Sequence, residues 1–282
     1  MFTLICENKY GDQIELTHNE AYDIVEIIGF DPPEATINTT RNAGADGSVY
    51  NSSYVNERQI TITLVVNAPA ESNRINLYKY FKTKFPVRLY YKNESRDVYI
   101  DGFVKDIDVG YFDKKQTIQI VVFCPKPMLN AVAEDIQDFI SVESLFEFPF
   151  AIEEAGIPFS EILPYVEKSI INSGDVDTGA LIHIKAIGNV VNPKIYNLDT
   201  GEHIFINITM AEGDEIIINT HRAEKSVTLI SSGVKTNIIG NFVNGSTWFT
   251  LIPGDNLFTI GADNFAENML VTFIVFDQYE GV

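Results

Sequence analysis

The 282-residue sequence has few of the residues that build catalytic or metal sites. It contains two cysteines, Cys6 and Cys124, and four histidines, no two of which lie three or four residues apart. Metal ligands and acid–base groups need closer clustering, so we predict no catalytic residue, no metal site and no cofactor. Each cysteine lies beside an apolar run, which favours two buried thiols, with a disulfide as the minor alternative.

Basic residues and long apolar runs are also scarce. Lys and Arg number 20 against 39 Asp and Glu, which gives a formal net charge of −19. A broad nucleic-acid-binding surface needs clustered Lys and Arg to neutralise phosphates, so that class is excluded. No apolar run approaches the roughly 20 residues that span a bilayer, so we expect no membrane insertion. The opening MFTLICENKYGD lacks the basic and apolar stretches of a signal peptide.

The sequence is rich in short apolar runs separated by turn-forming residues. Residues 201–260 include the segments EIIINT, KSVTLISSG and STWFTLIPGDNLFTI. Runs of this length, with many β-branched and aromatic residues, are typical of antiparallel strands in a sandwich. In the second half we predict nine strands, at 170–171, 180–187, 194–197, 204–208, 215–219, 226–229, 247–251, 256–260 and 269–276.

The first half combines strands with one helix. Residues 58–66 (RQITITLVV) alternate, which predicts a strand whose buried face holds Ile60, Ile62, Leu64 and Val66. A helix is predicted between a cap at residue 72 or 73 and the proline at position 86. Its apolar stripe is predicted to contain Ile75, Tyr78, Phe81 and Phe85.

Residues 38–53 (NTTRNAGADGSVYNSS) are rich in Asn, Gly, Ser and Thr and have no periodicity. They predict a long exposed loop. Such loops are uncommon in a compact domain unless they are ordered against something, so we interpret this stretch as a candidate interface arm.

Charge and proline content suggest how the chain is divided. Two prolines within residues 124–127 close the first part, because they cannot continue a central strand. Net charge is −3 over residues 1–130, −8 over 131–170 and −8 over 171–282. We therefore predict a domain at 1–130, an acidic connecting segment at 131–170 that leads into the second sandwich, and a domain at 171–282.

Segments spread along the whole chain resemble the distal tail protein family of phages that infect Gram-positive bacteria. In the first half they are Ala45–Gly47, Tyr54, Arg58 with its strand, Tyr99–Val104 and Phe123–Pro127. In the second half they are Glu147–Phe150, Gly156–Ser160, Ile171–Asp175, Asn192–Ile195, Glu215–Thr220 and Ser246–Asn256. Each segment alone is weak, but their order and spacing together are specific.

The resemblance implies a mainly β protein with two domains. The N-terminal ring-forming domain would be a split-barrel-like β-sandwich with one helix, and the C-terminal domain a galectin-like β-sandwich. The family implies a homo-hexameric ring at the virion tail tip or baseplate, between the tail-tube protein and the tail-associated hub protein. Receptor-binding or other baseplate proteins would dock on the C-terminal domains. Synthesis and assembly would take place in the cytoplasm of the bacterial host, and no enzymatic activity is implied.

Two functional questions stay open at the level of sequence. The sequence leaves open whether the particle is a phage with a non-contractile tail, a phage with a contractile tail or a tail-derived bacteriocin. The alternative function is a receptor- or carbohydrate-binding module acting through the C-terminal sandwich. The galectin sugar-binding motif H-x-N-x-R argues against this alternative. The motif would begin at His203, but Phe205 occupies the position of its Asn.

A basic stripe is predicted on the helix and the strand after it. Arg74, Lys79, Lys82 and Arg88 lie there, and no acidic residue separates them. With Arg58, they are our candidates for an oligomer or partner interface, where charge complementarity sets register. The acidic excess elsewhere is expected to flank a channel through which DNA passes without specific binding.

Overall fold

The protein is described by a computed structural model covering residues 2–44, 46–111, 115–139, 167–222 and 224–282, with backbone pairing alone for 142–144 and 160–162. The chain forms two compact units. Unit 1 contains Met1–Ala133 and Gln278–Val282, and unit 2 contains Glu134–Asp277. Most of the predicted connecting segment at 131–170 lies outside the described residues.

Unit 1 is built from strands and one α-helix among its described residues. The helix α1 is Ala70–Tyr80. The first ten strands are β1 (Thr3–Asn8), β2 (Gln13–Glu15), β3 (Tyr22–Ile28), β4 (Ala35–Thr40), β5 (Val49–Val55), β6 (Arg58–Val66), β7 (Pro86–Lys92), β8 (Asp97–Val109), β9 (Gln116–Cys124) and β10 (Leu129–Ala131).

Most strands of unit 1 form one antiparallel sheet in the order β2-β1-β7-β8-β9-β6-β3. Strand β6 pairs with β9 over its whole length and with β3 on its other side. Its inward residues Ile60, Ile62 and Leu64 are fully buried and Val66 nearly so, which confirms the face predicted from alternation. The sheet encloses a core to which α1 contributes Leu77.

The helix differs from its prediction in its start and in its buried face. It begins at Ala70, after Pro69, with no side-chain cap. Asn73 lies within the first turn of the helix, not at its cap, and its side-chain amide donates to the Asn67 carbonyl at 2.9 Å. Leu77 and Phe81 are buried while Ile75 is 50% exposed. The predicted stripe was therefore right for Phe81 and wrong for Ile75, and it missed Leu77. It also ran past the end of the helix at Tyr80.

The predicted loop at 38–53 is mostly a β-hairpin. Strands β4 and β5 pair with each other from Ala35↔Val55 to Thr40↔Val49, with a bulge at Asn38/Thr39. Polar side chains link the strands, as where Asn38 donates to Ser52 at 3.1 Å. Because the hairpin buries neither face, its sequence lacks the alternation that announces a half-buried strand.

Unit 2 contains thirteen strands among its described residues. They are β11 (Asp135–Phe139), β12 (Val142–Ser144), β13 (Ser160–Ile162), β14 (Glu167–Asn172), β15 (Ala180–Ala186), β16 (Val190–Asn197), β17 (His203–Phe205), β18 (Thr209–Met210), β19 (Glu215–Asn219), β20 (Ser226–Ser231), β21 (Val234–Asn237), β22 (Gly254–Asn264) and β23 (Met269–Val275).

These strands form a β-sandwich. One sheet has the order β11-β23-β15-β19-β20-β21, and the other has β14-β22-β16-β17 with β18 also paired to β16. Side chains of both sheets, such as Ile184 and Phe258, meet in one buried core. The prediction of a strand at 247–251 was wrong: only Leu251 makes an isolated bridge, to Thr178. Phe249 and Leu251 are buried nonetheless, which explains the apolar pattern.

The chain returns to unit 1 after the sandwich. Strand β24 (Gln278–Tyr279) pairs with β10, which also pairs with β8. The ring of Tyr279 lies 3.8 Å from the Arg96 guanidinium. The last five residues therefore belong to unit 1, although the sequence division had placed them in the C-terminal domain. Unit 2 is thus inserted between β10 and β24.

Candidate interaction surfaces

The hairpin β4–β5 exposes apolar side chains. Ile37, Val49, Tyr50 and Tyr54 are 64%, 53%, 61% and 55% exposed. Among the described residues the hairpin pairs with no further strand. An isolated two-stranded hairpin is marginal in water, and grouped exposed apolar side chains mark contact surfaces. The interpretation of this stretch as an interface arm stays a prediction, now with a defined structure.

Carboxylates flank the base of the hairpin. Glu34 immediately precedes β4, and Glu57 lies between β5 and β6. Both are exposed, and neither forms an ion pair with a residue in the described part of the chain. We refer to Glu34 and Glu57 as the hairpin acids. Since no described residue compensates their charges, they are available to a cationic partner.

A groove of about 420 Å³ lies at the end of α1. Tyr78, Phe81 and Lys82 form one side, and Ile107, Asp108, Val109 and Tyr111 of β8 and the residues after it form the other. We call it the α1 groove. The sequence did not predict this groove, because its two sides, in α1 and after β8, are distant along the chain. The aromatic residues around position 80 were the one local signal for it.

Arg74 contacts the two tyrosines that line the α1 groove. Its guanidinium donates to the hydroxyl of Tyr78 at 3.0 Å and to Glu71 at 2.6 Å, and it lies 5.1 Å from the ring of Tyr111. A hydrogen bond with Tyr78 raises the pKa of Tyr111. The predicted free charge at Arg74 is therefore compensated by Glu71, an acid one turn earlier.

The other predicted stripe residues fall into two groups. Arg88 is held by both oxygens of Asp101, at 2.6 and 2.9 Å, and stacks on Tyr99. Lys79 and Lys82 are exposed, as is their neighbour Lys84, and none of the three forms an ion pair with a described residue. The structure thus leaves a smaller cationic patch at the end of α1, made of these three lysines.

Arg58 lies inside unit 1, not on its surface. It is 4% exposed, and its two terminal nitrogens donate to the carbonyls of Gly29 at 3.0 Å and Glu280 at 2.5 Å. Gly29 has a φ of +103°, and a Cβ there would lie 2.2 Å from the Gln59 carbonyl oxygen. Arg58 therefore joins β6, the turn at Gly29 and the returning segment, and its predicted part in an interface would have to be indirect.

Unit 2 has an aromatic cluster on the outer face of its five-stranded sheet. The ring of Phe205 lies 4.2 Å from His203 and 4.9 Å from Tyr196. Beside it, Lys194 pairs with Asp263. All three rings are half-buried. Trp248 lies apart from this cluster, stacked on Phe242 at 4.6 Å and packed against the core.

Neither a metal site nor a reactive thiol is found in the described part of the chain. No group of three or more His, Cys, Asp or Glu there could hold a metal ion. Cys6 and Cys124 are free and buried, which confirms the prediction of thiols, and burial raises the pKa of both. A raised pKa keeps a thiol protonated and unreactive. No described helix is long and apolar enough to cross a membrane.

Family comparisons match both units in chain order. Residues 10–124 match the family described as a phage tail protein RIFT-related domain. Residues 173–274 match the siphovirus-type tail component, C-terminal domain. Together the two ranges cover more than half of the chain. No curated protein sequence matches it.

Solved structures share the fold. The crystal structure of SPP1 Dit (gp 19.1), described as a paradigm of the hub adsorption apparatus in phages infecting Gram-positive bacteria, is 13% identical with a TM-score of 0.68, and the match covers 99% of each chain. A chain of the phage P2 baseplate, in its activated conformation with Ca, is 12% identical with a TM-score of 0.53 over 100% of each chain.

The fold and the two matched ranges define a two-unit tail component of siphophage type. The chain belongs to the distal tail protein family. It is accordingly a structural component of the phage tail and baseplate, next to the hub.

Proposed function

We propose that this protein forms a homo-hexameric ring that joins the tail-tube protein to the tail-associated hub protein at the virion tail tip. The observation that carries the proposal is the hairpin β4–β5 of unit 1, which pairs with no other described strand and exposes its apolar side chains. A closed ring needs two different faces on each subunit. Unit 1 offers the hairpin and, at the end of α1, a groove with a cationic patch.

Unit 2 serves as the docking platform for receptor-binding or other baseplate proteins. Its apolar residues lie mostly within one core, so it keeps its shape without a neighbour. The acidic excess of the chain repels DNA phosphates, so DNA passes through the ring without specific binding. The protein acts by presenting surfaces, and its side chains neither make nor break covalent bonds.

The ring is tested by expressing the full chain with the hub and tail-tube proteins of the same phage. Native mass spectrometry of the purified complex should give six copies of this chain. A complex with one or three copies would overturn the hexamer. Lysine substitutions at acidic residues found to face the lumen should slow genome ejection, and unchanged ejection would overturn the role given to the acidic excess.

A second candidate function is carbohydrate binding by unit 2, favoured by the cluster of Tyr196, His203 and Phe205. Aromatic faces beside the Lys194–Asp263 pair offer stacking and hydrogen bonds, which sugars use. A cell-wall polysaccharide from the host should then bind the full chain and lose affinity with Phe205→Ala. Phe265→Ala, which removes an exposed ring elsewhere in unit 2, is the matched control. Equal behaviour of both variants would rule out this site.

A further inference from the structure

We infer that the hairpin of one copy lies against the end of α1 of the next copy, with Tyr54 in the α1 groove and the hairpin acids beside Lys79 and Lys82. This inference rests on the proposed ring and names its two faces. It also narrows the predicted basic stripe to its lysines, because Arg74 forms an ion pair with Glu71 and Arg88 forms one with Asp101 in the same chain. The occupant of the groove is a second copy of this chain.

Charge complementarity selects that occupant. Among the described residues, no ion pair compensates the negative charges of Glu34 and Glu57 at the base of the hairpin or the positive charges of Lys79 and Lys82 at the end of the helix. The two groups belong to the same unit, so every copy carries both halves of the contact. A head-to-tail arrangement repeats the contact around a ring, whereas a two-fold dimer would not require it.

Size and spacing support Tyr54 as the anchor. Tyr54 is 55% exposed and precedes Glu57 by three residues, which is about 10 Å along an extended chain. A groove of about 420 Å³ has room for an aromatic side chain. Its aromatic lining, Tyr78 and Tyr111, suits a tyrosine ring, and Lys82 at its edge lies where a carboxylate from the hairpin base would be neutralised.

Charge reversal tests the contact with folded, full-length protein. One variant carries Glu34→Lys and Glu57→Lys, and the second carries Lys79→Glu and Lys82→Glu. Each variant brings like charges together at every contact, so self-assembly should need at least about tenfold more protein than wild type. All four sites are exposed, and circular dichroism together with hydrogen exchange in the strands of unit 1 checks that each variant is folded.

Rescue gives the decisive readout. A single chain carrying all four reversals should assemble like wild type. Mixing the two separate variants should also restore rings, with the variants alternating, and native mass spectrometry should show three copies of each. Tyr54→Ala should weaken assembly, and Val25→Ala, at an exposed apolar residue of β3, should not.

The outcomes separate this inference from the proposed ring. If wild type forms no ring with its hub and tail-tube partners, the proposed function fails. If wild type forms rings and both charge variants do so equally well, or if the four-fold reversal does not restore assembly, the inference fails while the ring stands. Loss of hub or tube binding with intact rings would place the hairpin on those partners and overturn the inference.

Discussion

Unit 1 and unit 2 are both antiparallel β folds, but they differ in charge and in where they expose apolar side chains. Unit 1 has 18 acidic and 14 basic residues, a net charge of −4, whereas unit 2 has 21 and six, a net charge of −15. Unit 1 groups four exposed apolar residues on one hairpin, with others such as Tyr10 and Val25 elsewhere on its surface. In unit 2 they are scattered, as with Ile136, Val234 and Phe265.

This contrast separates two ways of belonging to an assembly. A unit that groups apolar and uncompensated charged residues gains stability from neighbours, because the contact removes apolar area from water. A unit with a continuous internal core and strong like charge keeps its own structure and stays soluble between contacts. The difference teaches that the proposed ring contact and the proposed docking platform place opposite demands on a surface, and that each demand falls to a separate unit.

The largest effect should come from breaking the core of unit 2. Phe258 is fully buried between Phe249 and Phe273, at 5.0 and 5.1 Å. Phe258→Ala should lower the free energy of unfolding of unit 2 by about 3–5 kcal/mol through lost contacts and a cavity. Trp248 is the only tryptophan and lies in unit 2, so its fluorescence in a urea titration follows that unit alone.

Phe265→Ala is the control for that experiment. The ring of Phe265 is 52% exposed, so its loss should change the stability of unit 2 by less than about 0.5 kcal/mol. Equal destabilisation by the two variants would contradict the picture of a self-sufficient core in the sandwich.

A smaller effect, confined to unit 1, is expected from Arg58→Met. The change keeps the aliphatic stem and leaves the carbonyls of Gly29 and Glu280 without their donors. We expect a loss of about 2–4 kcal/mol in unit 1, because buried groups lose charged hydrogen-bond partners. Hydrogen exchange should become faster in β6 and in residues 278–282, while the Trp248 transition stays in place. A matching shift of that transition would show that the two units unfold together.

A weaker test concerns the surface pair Arg88–Asp101. Asp101→Asn removes a charge from a partly exposed pair, so the stability of unit 1 should fall by about 0.2–1 kcal/mol, and less at high salt. If Arg88 instead contacts a neighbouring copy, this variant should alter assembly more than stability. Thermal melts and ring formation, measured on the same sample, distinguish these cases.

The smallest effect should be a change of pH dependence in unit 2. Burial raises the pKa of Asp277, although the backbone N–H of Ser173 donates to it at 3.0 Å. The folded unit therefore favours the protonated carboxyl, and this contribution is lost as pH rises from the unfolded to the folded pKa. Asp277→Asn lacks the effect, so its stability relative to wild type should increase with pH. A difference independent of pH would contradict the assignment.

The sequence predicted those parts of the fold in which one face of a strand is buried. Strand β6 was predicted with its inward residues, because alternation reports burial directly. The hairpin at 38–53 was predicted as a loop, since neither of its faces is buried within one copy. Residues 247–251 were predicted as a strand because Phe249 and Leu251 are apolar. A segment that buries these side chains without pairing to a neighbouring strand has the same sequence pattern.

The candidate site was less accessible to sequence reasoning. Lys79 and Lys82 were singled out as basic, but their distinction from Arg74 and Arg88 depends on where Glu71 and Asp101 lie in space. Arg58 was predicted as an interface cation although alternation places it on the same face of β6 as Ile60. Its partner, the carbonyl of residue 280, comes from a distant part of the chain that local sequence does not reveal. Long-range partners decide which charges remain uncompensated.

Because the chain returns to unit 1 through β24, unit 2 is an insertion in the sequence of unit 1. Its two ends attach at Leu129–Ala131 and Gln278–Tyr279, strands that pair with each other in unit 1. A different module with ends at the same spacing could replace it and leave every strand register of unit 1 intact. Recombination that exchanges only the inserted unit would therefore change one surface of this tail component and keep the strands of unit 1.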